Sequence, residues 1–151
     1  NALNHPEQVS STALARIRTA IDELGYVRND AARVLRAGRS STIGLVVLDV
    51  RNPFFTDVAR GAEDEAARHG LSVILGNTGE DQGREAAYLA LFEEQRVRGV
   101  LISPYASVDT RLHRLRDRGI GAVLVDRQGA DRSFSSVAVD DVAGGRIAAE
   151  H

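Results

Sequence analysis

Several residue types and patterns are missing from this sequence of 151 residues, and each absence narrows what the protein can be. Cysteine is absent, which excludes disulfide bonds and thiolate metal sites. The four histidines are scattered along the chain, so we expect no metal and no cofactor. No apolar run approaches the roughly 20 residues that a membrane-spanning helix needs. The first residues lack the basic and apolar stretches of an export signal. We therefore expect a cytoplasmic protein without a membrane partner.

Charge is distributed unevenly, although the net charge is only −2. Residues 1–41 contain a small excess of arginine over acidic residues, whereas the remainder is acidic. An asymmetry of this kind between segments is more informative than the total charge. The hydrophobic fraction of 43% is that of a soluble globular protein, so a packed core is expected.

The first segment predicts two helices. Hydroxyls at residues 10–12 can cap a helix whose apolar residues recur at helical spacing over 14–24, and Gly25 can end it. A second helix is predicted from about residue 29 to Gly38, and it is too short to be stable alone in water. This second helix must therefore dock on a partner to persist.

From residue 42 onward, short apolar runs alternate with helical patterns. The predicted strands are 43–48, 71–75, 100–102, 122–125 and 136–139, and the predicted helices are 54–69, 83–96, 110–118 and one from about 142. This alternation predicts right-handed crossovers and an α/β fold with a doubly wound parallel sheet. Because the sequence stops inside the last predicted helix, we expect an interior fragment of a longer protein.

Ligands of open parallel sheets bind beyond the carboxyl ends of the strands, so the segments that follow the strands are the candidate site. These segments are 49–55, 76–78, 103–105, 126–128 and 140–141. They bring aromatic rings, amides, hydroxyls and an Asp-Arg pair to one edge of the sheet. Rings that stack on a small ligand, with polar groups that orient it, are typical of such sites.

Two of these segments have a simpler interpretation beside the functional one. The stretch 52–55 is typical of a helix start, with Asn52 as the cap and both phenylalanines in the core. Neighbours on a helix point roughly 100° apart, however, so we expect one of the two rings to be free for another role. Asp126 and Arg127 form either a surface ion pair or part of the site.

Motifs for catalysis are not found, and we expect no enzyme. Ser103 is most simply a turn residue, and the pair Asp140-Asp141 is more typical of a turn or helix cap than of acid–base chemistry. The triplet Gly119-Ile120-Gly121 precedes a strand, whereas a dinucleotide-binding loop follows one.

Leu35 has two possible roles, since it lies among arginines on the short second helix. It either packs on its own domain or enters a DNA minor groove as an apolar wedge. In the second case the contacts of a bent duplex offset the cost of unstacking the bases.

Segments spread in order over the whole chain resemble the lactose/galactose-repressor (LacI/GalR) family. They are Leu24-Gly25-Tyr26, Asn29, Ala32-Arg33, Leu35-Arg36, Gly38-Arg39, residues 42–45, Asn52-Pro53-Phe54-Phe55, Gly76-Asn77-Thr78, residues 99–102, Val125-Asp126-Arg127 and residues 140–144. Each segment is weak alone, whereas the combination is specific. The run Asp126-Arg127-Gln128 is also similar to bacterial ribose-binding proteins, which share the sensor fold.

The resemblance implies a repressor that binds operator DNA as a homodimer and is controlled by a small sugar-like effector, a pentose or related sugar. It implies the end of an all-α helix-turn-helix headpiece over 1–27, a hinge helix and linker over 28–41, and one periplasmic-binding-protein-like sensor lobe over 42–151. The implied DNA contacts are Asn1, Asn4, Ser10, Asn29, Ala32, Leu35 and Arg36. The implied effector contacts are Asn52, Phe54, Phe55, Ser103, Asp126 and Arg127.

The first segment departs from the family pattern. Most of the helix-turn-helix is missing, Ala13-Leu14 stands where the family usually has Thr-Arg, and Arg28 replaces a common proline. We therefore expect this chain alone to bind an operator poorly. Two other functions compete with the repressor. A periplasmic-type sugar-binding protein would need an export signal and no arginine-bearing arm, and an enzyme would need a phosphate loop, metal ligands or a nucleophile with its base.

Overall fold

The computed structural model describes residues 8–25, 40–105, 110–127 and 133–151 of the chain. The chain divides into two compact units, Asn1–Arg33 and Val34–His151. The described part of the first unit contains one helix, α1 (Ser11–Glu23). The second unit contains the strands and the remaining helices.

Helix α1 has the ends that its sequence predicts. The Ser10 hydroxyl accepts a hydrogen bond from the backbone N–H of Ala13 at 3.3 Å and caps the first turn. Gly25 follows the last turn with a φ of +58°, a left-handed conformation that glycine adopts without steric cost. No side chain of α1 is buried, so its caps are the contacts that define where it begins and ends.

The second unit is a five-stranded parallel sheet with helices on its faces. Its elements are β1 (Thr42–Val47), α2 (Pro53–Arg68), β2 (Ser72–Asn77), α3 (Gln82–Glu94), β3 (Gly99–Ile102), α4 (Thr110–Asp117), β4 (Gly121–Val125), β5 (Ser135–Val137) and α5 (Asp141–Glu150). The strand order is β2-β1-β3-β4-β5, and each neighbouring pair is parallel. The predicted doubly wound α/β fold is confirmed, and the ends of its elements differ from the predicted ones by at most two residues.

Side chains of the interior strand β1 alternate between the two faces of the sheet. Leu45 and Val47 pack with Phe55 of α2 on one face, which we call the α2 face. Val46 packs in the same cluster as Phe92 of α3 on the opposite face, the α3 face. The four residues from Gly44 onward are all buried, as expected for a strand that is covered on both sides.

The α3 face holds the larger core. Its buried members are Val46, Leu89, Phe92, Val97, Val100, Ile102, Leu112, Leu115, Ile120, Leu124 and Phe134. A Cβ at Gly44 would lie 2.4 Å from the ring of Phe92, and one at Gly76 would lie 2.7 Å from the ring of Tyr88. Because glycine has no Cβ, both rings of α3 rest directly on the backbone of β1 and β2.

The last helix, α5, contains no buried residue. Its N-cap is Asp140, whose carboxylate accepts a hydrogen bond from the backbone N–H of Ala143 at 2.9 Å. The predicted cap role of this position is therefore confirmed. Within the described ranges, none of the helices has the length and apolar character needed to cross a membrane.

Candidate functional site

The strand order creates a crevice at the carboxyl ends of β1 and β3. The chain leaves β1 for β2 on one side of it, and after β2 it crosses over to β3 on the other side. Loops that leave a sheet in opposite directions separate at such a switch point, where ligands of open α/β sheets bind. The segments at this edge are the loop between β1 and α2, which we call the β1 loop, and residues 103–105, which we call the β3 loop.

Ser103 is the first residue after β3, and only 1% of it is exposed. Its backbone N–H donates to the carbonyl of Val46 at 2.9 Å, which holds it beside the end of β1. Its Oγ has no hydrogen-bond partner among the described residues. A buried hydroxyl without a partner costs about 1–3 kcal/mol.

Neighbouring polar residues at this edge are already occupied by structural contacts. The Thr78 hydroxyl donates to the carbonyl of Val47 at 3.3 Å and accepts from the N–H of Glu80 at 3.3 Å. The Asn77 side-chain oxygen accepts from the N–H of Val50 at 3.2 Å. These contacts tie the end of β2 to the end of β1 and to the β1 loop. Among the buried polar side-chain atoms that the structure describes, Ser103 Oγ is the one without a partner.

The stretch 52–55 combines both interpretations that the sequence allows. Asn52 caps α2, because its Oδ1 accepts from the N–H of Phe54 at 3.0 Å, and Pro53 is the first helical residue. Phe55 is 5% exposed and belongs to the core, as the helix-start interpretation predicts. Phe54 is half-buried and meets Phe55 edge-on, with ring centroids 5.1 Å apart.

The expectation that one of the two rings is free for another role stays a prediction. Phe54 also packs against the cluster around Phe55, at its rim. Adjacent helical residues still differ in depth, so Phe54 keeps part of its ring exposed beside the crevice while Phe55 does not.

Asp49 and Arg51 form a forked ion pair on the β1 loop. Arg51 Nη2 lies 2.9 Å from Asp49 Oδ2, and Arg51 Nε lies 3.0 Å from Oδ1. These hydrogen bonds favour the charged carboxylate and lower the pKa of Asp49, and the same contact raises the pKa of Arg51. The pair braces the β1 loop next to the cap of α2.

Asp126 and Arg127 follow β4, the strand next to β3. Asp126 has a φ of +59°, a left-handed conformation in which asparagine and aspartate are enriched among non-glycine residues. Its N–H donates to the carbonyl of Val137 at 2.8 Å, so the turn is anchored to β5. Arg127 donates from Nη2 to the carbonyl of Tyr105 at 3.4 Å and thereby links the ends of β3 and β4.

Glu85 is a residue at this edge that sequence reasoning missed. It lies in the first turn of α3, is 5% exposed, and its Oε2 accepts from the backbone N–H of Tyr105 at 2.8 Å. The available signal was its spacing, because Glu85, Leu89 and Phe92 follow one another at i, i+4 and i+7 on the buried side of the helix. A carboxylate on the apolar side of a helix is rarely buried without a partner.

Of the six predicted effector residues, Asn52, Phe54 and Phe55 lie at the start of α2, and Ser103, Asp126 and Arg127 lie in the loops after β3 and β4. The strands that precede these segments, β1, β3 and β4, are neighbours in the sheet. Ser10, a predicted DNA contact, is the N-cap of α1. The other predicted DNA contacts lie outside the described residues; they are Asn1, Asn4, Asn29, Ala32, Leu35 and Arg36. In the parts of the chain that the structure describes, no group of three His, Cys, Asp or Glu side chains is arranged to hold a metal ion.

A parallel α/β lobe with polar side chains and an aromatic ring at its switch point defines a class of small-molecule-binding domains. Residues 40–151 match the family described as periplasmic binding proteins and sugar binding domain of LacI family. The chain belongs to this family, and the resemblance found in the sequence is confirmed.

Relatives and solved structures agree with this assignment. The chain is 35% identical over 153 residues to the ribose operon repressor of Halalkalibacterium halodurans, covering 99% of this chain and 44% of that protein. It is similar to the structure of a LacI family transcriptional regulator from Enterococcus faecium with bound ribose (TM-score 0.61, 30% identity, 71% of this chain and 39% of that one). It is also similar to a periplasmic binding protein/LacI transcriptional regulator from Alkaliphilus metalliredigens complexed with D-xylulofuranose (TM-score 0.66, 30% identity, 74% of this chain and 40% of that one). The chain therefore spans about two fifths of the length of these relatives.

Proposed function

We propose that this chain is part of a cytoplasmic transcriptional repressor of the LacI family whose α/β lobe binds a small sugar-like effector. The observation that supports the effector site most strongly is the unpaired hydroxyl of Ser103, buried between the ends of β1 and β3. A buried polar group without a partner is destabilising, and a hydroxyl of a bound sugar would supply the missing partner.

The chemistry around Ser103 suits a sugar. Sugars present hydroxyl groups on their rim and C–H groups on their faces, so they pair with charged and hydroxyl side chains and stack on aromatic rings. Asp126 and Arg127 supply charged groups from β4, and Phe54 supplies a ring from α2. The two remaining predicted effector residues support that ring. Asn52 caps the helix that carries Phe54, and Phe55 is the core residue against which Phe54 packs. The ribose and D-xylulofuranose bound by two similar proteins favour a five-carbon sugar.

The DNA-binding part of this proposal rests on the family resemblance and on the named relatives. Leu35, flanked by Ala32 and Arg36, enters the minor groove at the operator centre, and effector binding changes how the paired hinge segments are held. The alternative is a periplasmic-type sugar-binding protein. The repressor is favoured because the Halalkalibacterium halodurans repressor aligns over 99% of the chain, including residues that precede the sensor lobe.

Exposed apolar side chains at the edge of the sheet support a homodimer. Ile74 and Leu75 lie on the edge strand β2, and Leu91 lies on α3, which packs beside it. Large apolar residues on an exposed edge favour association with another chain. We propose a second copy of this protein as the partner that covers them.

The sugar site is tested with the Ser103→Ala variant of the full-length protein. The matched control is Ser72→Ala, which changes an exposed serine at the start of β2, at the edge of the sheet away from the candidate site. Calorimetric titration with D-ribose and D-xylulose measures the affinity. We expect Ser103→Ala to weaken binding by about 3–10-fold, because one ligand hydrogen bond is lost. The same variant should unfold at equal or higher urea concentration, since it removes an unpaired buried hydroxyl.

Ser72→Ala should leave the affinity unchanged. Unaltered sugar affinity in Ser103→Ala, or a wild-type protein that binds neither sugar, would contradict the proposed effector site.

A further inference from the structure

We propose that Glu85 is a positioning residue of the effector site, which it serves by holding the β3 loop in its binding geometry without touching the effector. This inference rests on the proposed function, because it names a residue on which that same site depends. It concerns a side chain on helix α3, behind the loop, and not the wall of the crevice itself.

The first observation is the contact between Glu85 and the β3 loop. Glu85 Oε2 accepts a hydrogen bond from the backbone N–H of Tyr105 at 2.8 Å, and the side chain is buried at the start of α3. Burial of a carboxylate is costly unless hydrogen bonds compensate it, and a hydrogen bond to a charged acceptor is roughly twice as strong as a neutral one. The contact therefore joins the rigid first turn of α3 to a loop 20 residues further along the chain.

The second observation is that the same peptide segment is held from its other side. The carbonyl of Tyr105 accepts a hydrogen bond from Arg127 Nη2 at 3.4 Å. Glu85 thus fixes the N–H of Tyr105, and Arg127, a predicted effector contact, meets its C=O. The backbone of Tyr105 is therefore hydrogen-bonded to α3 through its N–H and to the residue after β4 through its C=O.

These two hydrogen bonds at Tyr105 restrain the position of the β3 loop. Ser103 and Pro104, both buried, connect β3 directly to Tyr105, so the segment from Ser103 to Tyr105 is fixed at both ends. Tyr105 itself is 43% exposed, so packing alone does not restrain its ring. If the contact with Glu85 is lost, the loop samples other positions, and the apparent dissociation constant rises in inverse proportion to the fraction that remains competent.

The experiment compares Glu85→Ala and Glu85→Gln with Glu94→Ala, a matched control that removes an exposed glutamate from the last turn of the same helix. D-Ribose and D-xylulose are titrated into each full-length protein, and hydrogen exchange at the backbone amide of Tyr105 is measured without sugar. We expect Glu85→Ala to weaken sugar binding about tenfold and to accelerate exchange at Tyr105. Glu85→Gln should lose less sugar affinity and less protection at Tyr105 than Glu85→Ala, because its neutral amide oxygen still accepts a weaker hydrogen bond. Glu94→Ala should change neither quantity.

Each outcome separates this inference from the function on which it rests. If the wild-type protein binds sugar and Glu85→Ala binds it equally well, the positioning role is overturned and the effector site stands. If the wild-type protein binds neither sugar, the effector site fails. Hydrogen exchange at Tyr105 then tests separately whether Glu85 restrains the loop. An unchanged exchange rate in Glu85→Ala overturns that restraint. Should Glu85→Ala fail to fold, Glu85→Asp takes its place, since its carboxylate is one methylene shorter and should give the same losses.

Discussion

The core clusters on the two faces of the sheet differ in size, although the same strands contribute side chains to both. Among the described residues, the core cluster on the α3 face contains eleven buried residues, whereas the cluster on the α2 face contains three, Leu45, Val47 and Phe55. Other apolar side chains on the α2 face, among them Phe54 and Val73, are only partly buried.

This difference separates the larger core of the lobe from the side on which α2 enters the candidate site. Burial of apolar surface is the main favourable contribution to folding, and the α3 face buries most of it. Helix α2 begins with Asn52 and Phe54 at the crevice and rests on fewer buried contacts. Regions with few buried contacts open at lower free energy than the global unfolding, which suits an element that has to respond to a ligand.

The largest effect that tests this comparison is expected from matched phenylalanine truncations on the two faces. Phe92→Ala on the α3 face should lower the free energy of unfolding by about 3–5 kcal/mol, because it leaves a cavity in the larger core. Phe55→Ala on the α2 face should lower it by about 3 kcal/mol or less, since half-buried neighbours can move into the space. Urea denaturation measures both.

The difference between these two variants matters more than either value. Equal losses, or a larger loss for Phe55→Ala, would show that the two faces contribute alike and would break the comparison.

An intermediate effect is expected from one substitution made at two glycines. Gly44→Ala places a Cβ 2.4 Å from the ring of Phe92 and should destabilise the fold by about 1–3 kcal/mol through overpacking. Gly61→Ala in the middle of α2 meets no atom within 4 Å and should stabilise the fold by about 0.5–1 kcal/mol, because alanine favours the helix. Thermal unfolding of both variants checks the opposite signs, and a stabilising Gly44→Ala would contradict the tight packing of α3 on β1.

The fold was predictable because local periodicity decides it. Apolar runs, helical spacing and the glycines that end helices located each element. The alternation of strands and helices, with right-handed crossovers, then predicted a parallel sheet. The ends were less certain where pairing decides them. Strand β2 continues to Asn77 because Asn77 pairs with Val47 and its side chain binds the N–H of Val50, and these partners are distant in the sequence.

The candidate site was predictable in position but not in detail. The rule that ligands meet the carboxyl ends of strands points to Ser103 and Asp126 from the sequence alone. The sequence could not reveal that the Ser103 hydroxyl lacks a partner, nor that Glu85 and Arg127 hold the two sides of Tyr105. Those facts depend on contacts between elements, and no local pattern encodes them.

The smallest effect is expected at the β1 loop, which leads from β1 to helix α2 on the less packed face. The hydrogen bonds from Arg51 are the largest cause of the lowered pKa of Asp49, so Arg51→Ala should raise that pKa toward its ordinary value of about 3.9. Because the folded-state pKa lies below that of the unfolded chain, the contribution of the pair is present above about pH 4 and is lost as the pH falls through the lowered value. Arg51→Lys is the sharper control, since it keeps the charge but loses the fork that binds both carboxylate oxygens. Titration of the Asp49 carboxyl carbon by NMR should place Arg51→Lys closer to Arg51→Ala than to the wild type, and a Lys variant as low as the wild type would show that charge alone braces this loop.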